Sequence, residues 1–378
     1  MADAPGAVGE TPPALVPSRI TSLPPEALGA SALHRATLSG DPAALAFYRW
    51  SPHDPAHRAE AARIAAEAAT ARGARDAVAD VLAEQNRAWG ATDAVLDLVE
   101  TLRQPDAVAV VTGQQLGLFA GPLYTIWKAR SAVRLAARLT EETGRPAVPV
   151  FWLADEDHDF AEIQQATFAV GEAVRHVPYD DGRPPEADRG PVGRMVLEEA
   201  ATDAALRQLA DALPAGPQRE EALRLAQDAY VPGRTMRDAF AALFRALVPD
   251  IVLMSADDAR LKRLAAPLFV REATAWPDTL ARLDERSEAL AAAGFHIQVT
   301  PTPVNLFVMS DDARTPLDPV EEGGFVRRGL EEELSAEDML ARLKALLAEP
   351  LPEGISCAVA PTIPHQCSDR LITGCAEL

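Results

Sequence analysis

The chain has 378 residues, 48% of them hydrophobic, and a formal net charge of −20. This length allows one large or two ordinary domains with a sizeable core, and the acidity opposes binding to the phosphate backbone of nucleic acids. No run of about 18 apolar residues predicts a membrane span, and the N-terminus lacks the basic and apolar regions of a secretory signal, so we expect a cytoplasmic protein.

Three regions are expected along the chain. Residues 1–40 are rich in Pro, Ala and Gly and predict an extended N-terminal segment. Residues 41–356 carry the strands and helices of a core with helical insertions, and residues 357–378 form a tail with no apolar period. Within the core, the Ala-rich residues 55–104 have apolar positions at helical spacing and predict helices.

The strongest structural signal is a strand–loop–helix–strand unit over residues 107–153. AVAVVT at 107–112 and AVPVFWL at 147–153 are continuous apolar runs typical of buried parallel strands. Between them a Gly-containing loop leads into a helix from Pro122 to about Glu142, where a first-turn proline is tolerated. The unit therefore predicts a right-handed crossover.

The rest of the core continues the alternation of strands and helices, which predicts an α/β fold with a doubly wound parallel sheet. The expected elements in chain order are one or two strands in 163–179, a loop at 180–194, helices at 198–213, 217–230 and 234–247, a strand at 250–254, a helix beginning after it, helical residues at 274–293, a hairpin at 297–310 with its turn at Thr302–Pro303, a loop at 317–329, and a helix at 335–348 with Ser335 as N-cap.

The first candidate site follows the first strand, in VTGQQLGLFAGPLYTIWKA at 111–129. Its three glycines recur every four residues, at Gly113, Gly117 and Gly121, which is neither the dinucleotide-binding nor the P-loop pattern. The segment nevertheless runs from the carboxyl end of a strand to a helix N-terminus, where open α/β sheets bind ligands. Gln114 and Gln115 would supply uncharged donors and acceptors to such a ligand.

A structural interpretation of the same segment is also open. The glycines would then only permit a tight strand-to-helix turn, with Tyr124 in the core. We expect Ile126 and Trp127 to be core residues under either interpretation. Lys128 is one of three lysines in the chain and lies within two turns of the helix start. It either faces a phosphate or carboxylate or is simply solvated.

The second candidate site follows the second strand, where VFWLADEDHDF places Asp155, Glu156, Asp157, His158 and Asp159 in a row. So much charge after a buried strand is costly unless it is solvated, paired or bound to a cation. The roles that fit are coordination of a nucleotide's Mg²⁺, binding of a substrate amine, and general acid–base work by His158. Helix N-capping would explain one or two of the acids, and a single histidine among carboxylates suits Mg²⁺ better than zinc.

A few further polar residues are candidates for ligand contacts or helix caps. Asp257 and Asp258 follow the strand IVLM, where they would contact a ligand or cap a helix. Asn305 would cap or contact a ligand beside the predicted hairpin. All three cysteines lie in the last 22 residues, at a spacing that matches no standard zinc pattern, so neither a disulfide framework nor a cysteine metal site is expected.

On these two motifs the chain resembles the cysteine-adding enzymes of bacillithiol biosynthesis, the BshC family. The segments PVGR at 191–194, IVLMSADDARLKRLAAPLF at 251–269, GFHIQV at 294–299 and NLFVM at 305–309 also match family blocks. The resemblance implies a Rossmann-like core related to class I aminoacyl-tRNA synthetases and a homodimer formed by a C-terminal coiled coil. It implies a ligase that joins L-cysteine to glucosaminyl-malate through an amide bond, with ATP and Mg²⁺ suspected by analogy.

The resemblance also implies a role for each of the two motifs. The loop after the first strand would line a pocket, and the acidic segment would lie across from it. The expected catalytic residues are His158, Asp157 and Glu156, and the expected substrate- or nucleotide-binding residues are Gly113, Gln114, Gln115, Gly117, Lys128, Asp155, Asp159 and Asn305.

The tail departs from the family pattern. After the segment that matches PEGIS, family members continue with an R-P-x-x-Q-D type stretch, a G-P-x-E block and a long coiled coil. This chain instead continues as CAVAPTIPHQCSDRLITGCAEL. We hypothesise that the segment after about Cys357 is translated in a shifted frame, which translation of the gene in its other frames would test. Without a strand and coiled coil from that part, we expect a chain that is poorly soluble or inactive. Two other functions stay open: a nucleotidyl-transferring enzyme for another small acid, and a non-catalytic remnant that binds nucleotide or precursor.

Overall fold

A computed structural model describes residues 25–361 of the chain. The predicted N-terminal segment up to residue 24, the tail after residue 361 and all three cysteines lie outside the described residues, so the predictions made for them stay predictions. The positions left out between 25 and 361 are 52, 171, 185–186, 188, 298–300, 310–313, 321–323, 329–332 and 346–358.

Helices precede, separate and follow the strands, as the sequence predicts for most of the core. Local sequence explains several boundaries, since Asp54 and Thr235 cap their helices by accepting from backbone N–H groups and Gly73 ends one in a left-handed conformation. The α-helices are α1 Ala32–Ser39, α2 Pro42–Leu45, α3 Pro55–Arg72, α4 Arg75–Ala88, α5 Asp93–Thr101, α6 Leu123–Thr143, α7 Phe160–Ile163, α8 Glu199–Ala212, α9 Pro217–Ala229, α10 Met236–Leu247, α11 Ala259–Ala292 and α12 Ala336–Ala345.

A three-stranded parallel sheet forms the centre of the molecule and confirms the predicted α/β core. Its strands are β1 Val108–Gln114, β2 Ala147–Leu153 and β5 Val252–Ser255, in the order β1-β2-β5. Helix α6 makes the crossover from β1 to β2, and the pairing runs in register to Gln114 opposite Leu153. All three strands therefore end at the same edge of the sheet.

Helices cover both faces of this sheet, so the core is doubly wound. On one face, Phe151 and Leu253 pack with α6 and α10. There Phe240 stacks on both Phe151 and Phe244. On the other face, Val150 packs with apolar side chains of α4 and α5. These helices remove the strands' apolar side chains from water, which is the main stabilising contribution to the fold.

The outer edge of β5 is covered by side-chain amides instead of a further strand. Asn86 donates to the carbonyl of Leu253 and accepts from its N–H, at 2.8 and 3.0 Å. Gln85 makes the same pair of bonds with Ser255, at 3.1 and 3.0 Å. Two adjacent α4 residues thus satisfy backbone groups that an exposed edge would leave to another chain.

The segment between β2 and β5 is an insertion with its own hairpin. Strands β3 Gln165–Val170 and β4 Ala173–Pro178 pair antiparallel within the range where one or two strands were predicted. Helices α8, α9 and α10 follow at nearly the predicted positions. The hairpin packs on α8, and α10 returns the chain to the parallel sheet.

The C-terminal part of the described chain is an antiparallel sheet beside α11, and here two predictions are wrong. In place of the expected hairpin with its turn at Thr302–Pro303, β6 pairs with the downstream strand β7 on one side and with β10 on the other. Residues 298–300 of that hairpin lie outside the described residues. The expected loop at 317–329 contains half of β7 and all of β8, whose Leu317 and Phe325 fill a core against α11. The strands, in the order β10-β6-β7-β8-β9, are β6 Leu306–Met309, β7 Arg314–Pro319, β8 Phe325–Arg327, β9 Glu333–Leu334 and β10 Val359–Pro361.

Helix α11 is a single helix of 34 residues that joins the two helical segments expected around residues 259–293. It continues through Pro267 and Pro277, although proline removes a helical hydrogen bond. Ser335 caps α12, as predicted, by accepting from the N–H of Asp338 at 3.0 Å. Among the described helices, none combines the length and apolar character needed to cross a membrane.

Candidate functional site

The loops after β1, β2 and β5 meet at the carboxyl edge of the parallel sheet. The N–H of Ala154 donates to the carbonyl of Gln114 at 3.1 Å, which extends the pairing of β1 and β2 by one step. Beyond it, Nε2 of Gln115 donates to Oδ2 of the buried Asp157 at 2.5 Å. The two motifs that the sequence singled out therefore touch each other, at the edge where open α/β sheets bind ligands.

The three glycines of the first motif allow close backbone approaches. A Cβ on Gly113 would lie 2.7 Å from the carbonyl oxygen of Trp152 on the neighbouring strand, and one on Gly117 would lie 2.6 Å from the Cα of Gly121. No side chain fits at these distances, so the strand-to-helix turn itself requires the glycines. This supports the structural interpretation for Gly113. Gly117 also lines a small cleft beside the end of β1.

A left-handed turn connects this loop to α6. Phe119, Ala120 and Gly121 have φ values of 53°, 72° and 66° in succession, a conformation that is strained for the two non-glycine residues. Tyr230 holds the turn in place, because its hydroxyl accepts from the N–H of Phe119 at 2.8 Å and its ring packs edge-on against Phe119. Tyr230 is fully buried at the end of α9, and burial raises the pKa of its hydroxyl.

A chain of hydrogen bonds fixes the amide of Gln114. Nζ of Lys128 donates to Oε1 at 2.9 Å, and Nε2 lies 3.2 Å from both Oε1 of Glu162 and the hydroxyl of Tyr124. An ammonium can only donate and an ionised carboxylate can only accept, so these two groups determine which way the amide points. Lys128 also lies 5.2 Å from the centre of the Tyr124 ring.

The prediction for Trp127 is wrong, because this side chain is 63% exposed. Helix α6 buries a stripe that includes Thr125, Ala129 and Ala132, and Trp127 points away from that stripe. Ile126 packs against the core at its border, as expected.

The first of two structural features at the site is a small cleft. Its volume is about 110 Å³, and it opens beside the end of β1. The residues lining it are Gln114, Gln115, Gly117, Pro122, Tyr124, Glu162 and Ile163. We call this feature the cleft.

The second feature is a buried charge cluster, formed by Asp155, Glu156, Arg194, Asp257 and Lys262. The Asp257 carboxylate accepts from Arg194 at 2.6 and 2.8 Å and from Nζ of Lys262 at 2.7 Å. Lys262 is 4% exposed and also lies 3.5 Å from Glu156. The structure thus balances most of the predicted acidic charge with cations from two other segments of the chain.

Asp155 is the most enclosed member of the buried charge cluster, with no exposed surface. Ser255 Oγ donates to its Oδ2 at 2.5 Å, and Arg237 lies 3.6 Å from the same oxygen. The segment PVGR packs directly on its backbone, since the N–H of Gly193 donates to the Asp155 carbonyl at 2.8 Å. A Cβ on Gly193 would lie 2.5 Å from the Asp155 Cβ, so glycine is required there.

The two aspartates of the cluster differ in proton affinity. Burial, with a further contribution from the Asp257 charge, raises the pKa of Asp155 to about 7. Burial also acts to raise the pKa of Asp257, but the hydrogen bond from Arg194 and the charge of Lys262 outweigh it and lower that pKa. Such divergence between neighbouring carboxyl groups is common at functional sites.

The other acids of the second motif have distinct positions. His158 is about half exposed, with Nδ1 3.4 Å from Oδ1 of Asp157. Asp159 caps α7 by accepting from the N–H of Glu162 at 3.1 Å, so the N-cap interpretation holds for this acid. Asp258 likewise caps α11 by accepting from Arg260 N–H at 2.9 Å.

The structure does not bring Asn305 to the loops at the carboxyl edge. Its backbone and side-chain nitrogens both donate to Glu272 on α11 at 3.0 Å, beside the antiparallel sheet. In the described part of the chain, no three His, Cys, Asp or Glu side chains are grouped around a position for one metal ion.

Sequence reasoning missed the partners of the charged residues. Glu162 follows Asp159 by three residues, the spacing typical of a helix start with two acids, and this signal could have placed it beside the motif. Lys262 follows the Asp258 N-cap by one turn and could have been expected to lie near that strand end. Nothing in the local sequence links Tyr230 to the first motif, which lies more than a hundred residues upstream.

Comparison with known proteins identifies the family. The sequence profile described as "Bacillithiol biosynthesis BshC, N-terminal Rossmann-like domain" matches residues 20–357. A protein from Salinibacter ruber named "Putative cysteine ligase BshC" is 41% identical over 286 residues, covering 75% of this chain and 52% of the relative. A protein of the same name from Koribacter versatilis is 34% identical over 283 residues, covering 72% of this chain and 50% of the relative.

A third relative of that name, from Solibacter usitatus, is 40% identical over 200 residues, or 52% of this chain and 37% of its own length. The chain thus spans at most about half the length of these curated relatives. The profile match covers most of the chain and includes all three loops at the carboxyl edge of the sheet. The chain belongs to the BshC family of bacillithiol biosynthesis proteins and contains its N-terminal Rossmann-like domain.

Proposed function

We propose that this chain belongs to a ligase that joins L-cysteine to the glucosamine amine of glucosaminyl-malate, the last step of bacillithiol biosynthesis. The relatives' name, cysteine ligase, supports the reaction class. The observation that carries the proposal is the contact between Gln115 and Asp157, because it joins the first motif to the acidic motif at the ligand-binding edge of the sheet.

His158 is the best candidate for the general base. An amine attacks an activated carboxyl group only as the free base, so a group must accept its proton in forming the amide bond. The His158 ring reaches solvent, and Asp157 lies against its Nδ1 and is itself held by Gln115. We propose that Asp157 orients the ring and that Glu156, beside Lys262, sets the local charge.

The proposed binding residues fall into two groups. Gln114, Gln115 and Gly117 line the cleft, and Lys128 fixes the amide of Gln114, so the structure supports binding roles for these four. Gly113, Asp155, Asp159 and Asn305 make their observed contacts with protein groups. We therefore propose supporting roles for this second group.

ATP with Mg²⁺ is proposed as the source of activation, by analogy with other ligases. Among the described residues no preformed magnesium site is visible, because Asp257 is paired with cations and Asp155 is fully enclosed. Mg²⁺ commonly binds through nucleotide phosphates with only one or two protein carboxylates. We derive no catalytic step through the metal.

The test is an assay of this chain joined to the C-terminal half of the Salinibacter ruber relative, which the chain does not span. L-Cysteine, glucosaminyl-malate, ATP and Mg²⁺ are supplied, and the amide product is detected by mass spectrometry. We expect His158→Asn to lower kcat by about a hundredfold or more, the usual contribution of a general base. His176→Asn is the matched control, because His176 lies on β4 and bonds to Thr167. Absence of amide product, or an unchanged kcat in His158→Asn, would overturn the proposal.

A further inference from the structure

Arg237 is a partly buried arginine that lies beside the acidic motif. It belongs to the first turn of α10, and its side chain is 25% exposed. Its Nη1 lies 3.6 Å from Oδ2 of Asp155, in the loop that follows β2. The guanidinium group therefore stands at the carboxyl edge of the parallel sheet, where open α/β sheets bind ligands.

The contacts of Arg237 leave most of its donors without a protein acceptor. Within the described residues its guanidinium group donates a single hydrogen bond, from Nε to Oδ1 of Asp238, at the long distance of 3.5 Å. Nη1 is too far from Asp155 for a hydrogen bond, and Nη2 has no acceptor in this part of the chain. These two nitrogens are therefore available to solvent or to a ligand.

Other arginines near the site use their donors fully. Arg194 donates to both oxygens of Asp257 at 2.6 and 2.8 Å. Arg189 donates to both oxygens of Asp181 at 2.8 Å. A pair of parallel hydrogen bonds is the geometry in which arginine binds a carboxylate most strongly. Arg237 lacks such a partner, although two carboxylates lie within ion-pair distance.

Those two carboxylates have shorter hydrogen bonds with other groups. Ser255 Oγ donates to Oδ2 of Asp155 at 2.5 Å. Trp89 Nε1 donates to Oδ1 of Asp238 at 3.0 Å. The two acids thus hold the guanidinium group of Arg237 in place by charge, but they do not satisfy its donors.

Side-chain exposure at this edge favours an anionic ligand. The side chains of Asp155 and Asp257 are 0% and 2% exposed, whereas those of Arg237 and Arg194 are 25% and 37% exposed. Asp238 is 39% exposed, but it pairs with Nε and leaves the two Nη atoms to a ligand. An approaching ligand therefore meets guanidinium groups before it meets the buried acids.

We infer that Arg237 binds an oxyanion of a substrate, either a carboxylate or a phosphate, through Nη1 and Nη2. Both kinds of oxyanion match the planar fork of arginine. The inference rests on the proposed function only for the identity of the substrate. Glucosaminyl-malate and L-cysteine bring carboxylates, and ATP brings phosphates. Bound there, the anion would lie against the motif that also contains His158, the proposed general base.

The test measures binding by calorimetry, on the joined protein used in the ligase assay. Each anionic ligand is paired with a counterpart that lacks its anion: glucosaminyl-malate with its dimethyl ester, L-cysteine with its methyl ester, and ATP with adenosine. Arg237→Met keeps an apolar stem and removes the guanidinium group. We expect it to weaken one anionic ligand by roughly 10- to 100-fold, the usual contribution of a charge-assisted hydrogen bond. Its counterpart should bind as before, and the pair that responds identifies the source of the oxyanion.

Two further variants control for charge and folding. Arg130→Met removes a partly exposed arginine that pairs with Asp250 at 2.8 Å, before the start of β5 at the opposite edge of the sheet. It should bind every ligand as the unmodified protein does. Arg237→Lys keeps the positive charge and loses the fork, so it should weaken the same anionic ligand by a smaller factor. Circular dichroism checks that each variant is folded.

The inference is overturned if all three anionic ligands keep their full affinity in Arg237→Met and Arg237→Lys. That result, with a lower free energy of unfolding, would show that Arg237 only balances Asp155. Equal losses for an anionic ligand and its counterpart would also overturn it. Binding that depends on Arg237, without amide product, would refute the ligase proposal alone. Amide formation with every KM unchanged in Arg237→Met would refute the anion site alone.

Discussion

The cleft and the buried charge cluster lie at the same edge of one sheet, but they use polar side chains in opposite ways. In the cleft, Gln114, Tyr124 and Glu162 are accessible and form a short chain of hydrogen bonds. In the cluster, Asp257 and Lys262 are almost inaccessible and pair with each other. The sequence places more charge in the second region, yet the first offers a ligand more direct access.

This contrast follows from the cost of burying charge. An isolated ionised group inside a protein is strongly unfavourable, so the acids after β2 and β5 require cations from elsewhere in the fold. Those pairs fasten the loops after β2 and β5 and the PVGR segment to one another. We therefore expect substitutions in the cluster to change mainly stability, and substitutions around the cleft to change mainly ligand binding.

The largest effect is expected for Lys262→Met. The substitution keeps most of the apolar stem but removes the cation beside Asp257 and Glu156. Breaking a buried pair in this way usually costs about 3–5 kcal/mol, which urea unfolding would measure. Arg63→Met is the control, because Arg63 forms exposed pairs on α3 and should matter little. An equally small change in Lys262→Met would show that the cluster does not hold these loops together.

The pH dependence of stability tests Asp155. Its pKa is about 7 in the folded protein against an ordinary value of 3.8. Between these values the folded state binds a proton that the unfolded state has lost, so the stability of the unmodified chain falls as pH rises from about 4 to 7. Asp155→Asn removes this loss, so its stability relative to the unmodified chain should rise by roughly 3–4 kcal/mol between pH 4 and pH 8.

Asp257→Asn is the opposing control for this experiment. The pKa of Asp257 is lowered in the folded protein, so its charge stabilises the fold above the unfolded pKa and that contribution is lost as pH falls. The variant should be less stable than the unmodified chain at neutral pH, with a difference that shrinks in acid. If the stability of Asp155→Asn and that of the unmodified chain change in parallel with pH, the pKa of Asp155 is not raised in the folded protein.

Gly193→Ala tests the close packing of the PVGR segment. The added Cβ would lie 2.5 Å from the Cβ of Asp155 and 2.8 Å from its carbonyl oxygen, so one backbone must move. Overpacking of this kind costs about 1–3 kcal/mol, and we expect the upper end. Gly73→Ala has open space around it and only the strain of a left-handed residue, about 1 kcal/mol. If both variants lose the same stability in thermal unfolding, the contact between Gly193 and Asp155 is loose.

The parallel core could be predicted from sequence, whereas the antiparallel sheet could not. AVAVVT and AVPVFWL are uninterrupted apolar runs, and both become the strands expected of them. Strand β7, by contrast, has the sequence RTPLDP, whose two prolines and Asp318 resemble a loop. Its place in a sheet depends on pairing with β6 and β8, which no local pattern reveals.

Part of the candidate site could also be predicted from the sequence, and part of it could not. The position of each motif at a strand end was enough to bring Gln115 and Asp157 together. The partners of the neighbouring acids come from segments distant in sequence, so only the fold assembles them: Arg194 donates to Asp257, and Ser255 donates to Asp155. The exposure of Trp127 was missed because the buried stripe of α6 consists mostly of small residues, with Leu139 as its one large member.

Tyr230→Phe should have the smallest effect on stability and still alter the cleft. It removes the hydroxyl that accepts from Phe119 N–H, and an unsatisfied buried N–H costs about 1–3 kcal/mol. The left-handed turn would relax, and Gly117, which contacts Gly121 in that turn, would move with it. We expect weaker binding of substrate together with a modest loss of stability, measured by calorimetry and urea unfolding.

A second substitution separates the two effects. Ala120→Gly lowers the strain of the turn, because glycine adopts the φ of 72° without steric cost. Combined with Tyr230→Phe, it should restore substrate binding more than it restores stability, since the core still lacks the hydroxyl. If Tyr230→Phe lowers stability and leaves binding unchanged in both backgrounds, the cleft does not depend on the turn, and Tyr230 acts only as a core residue.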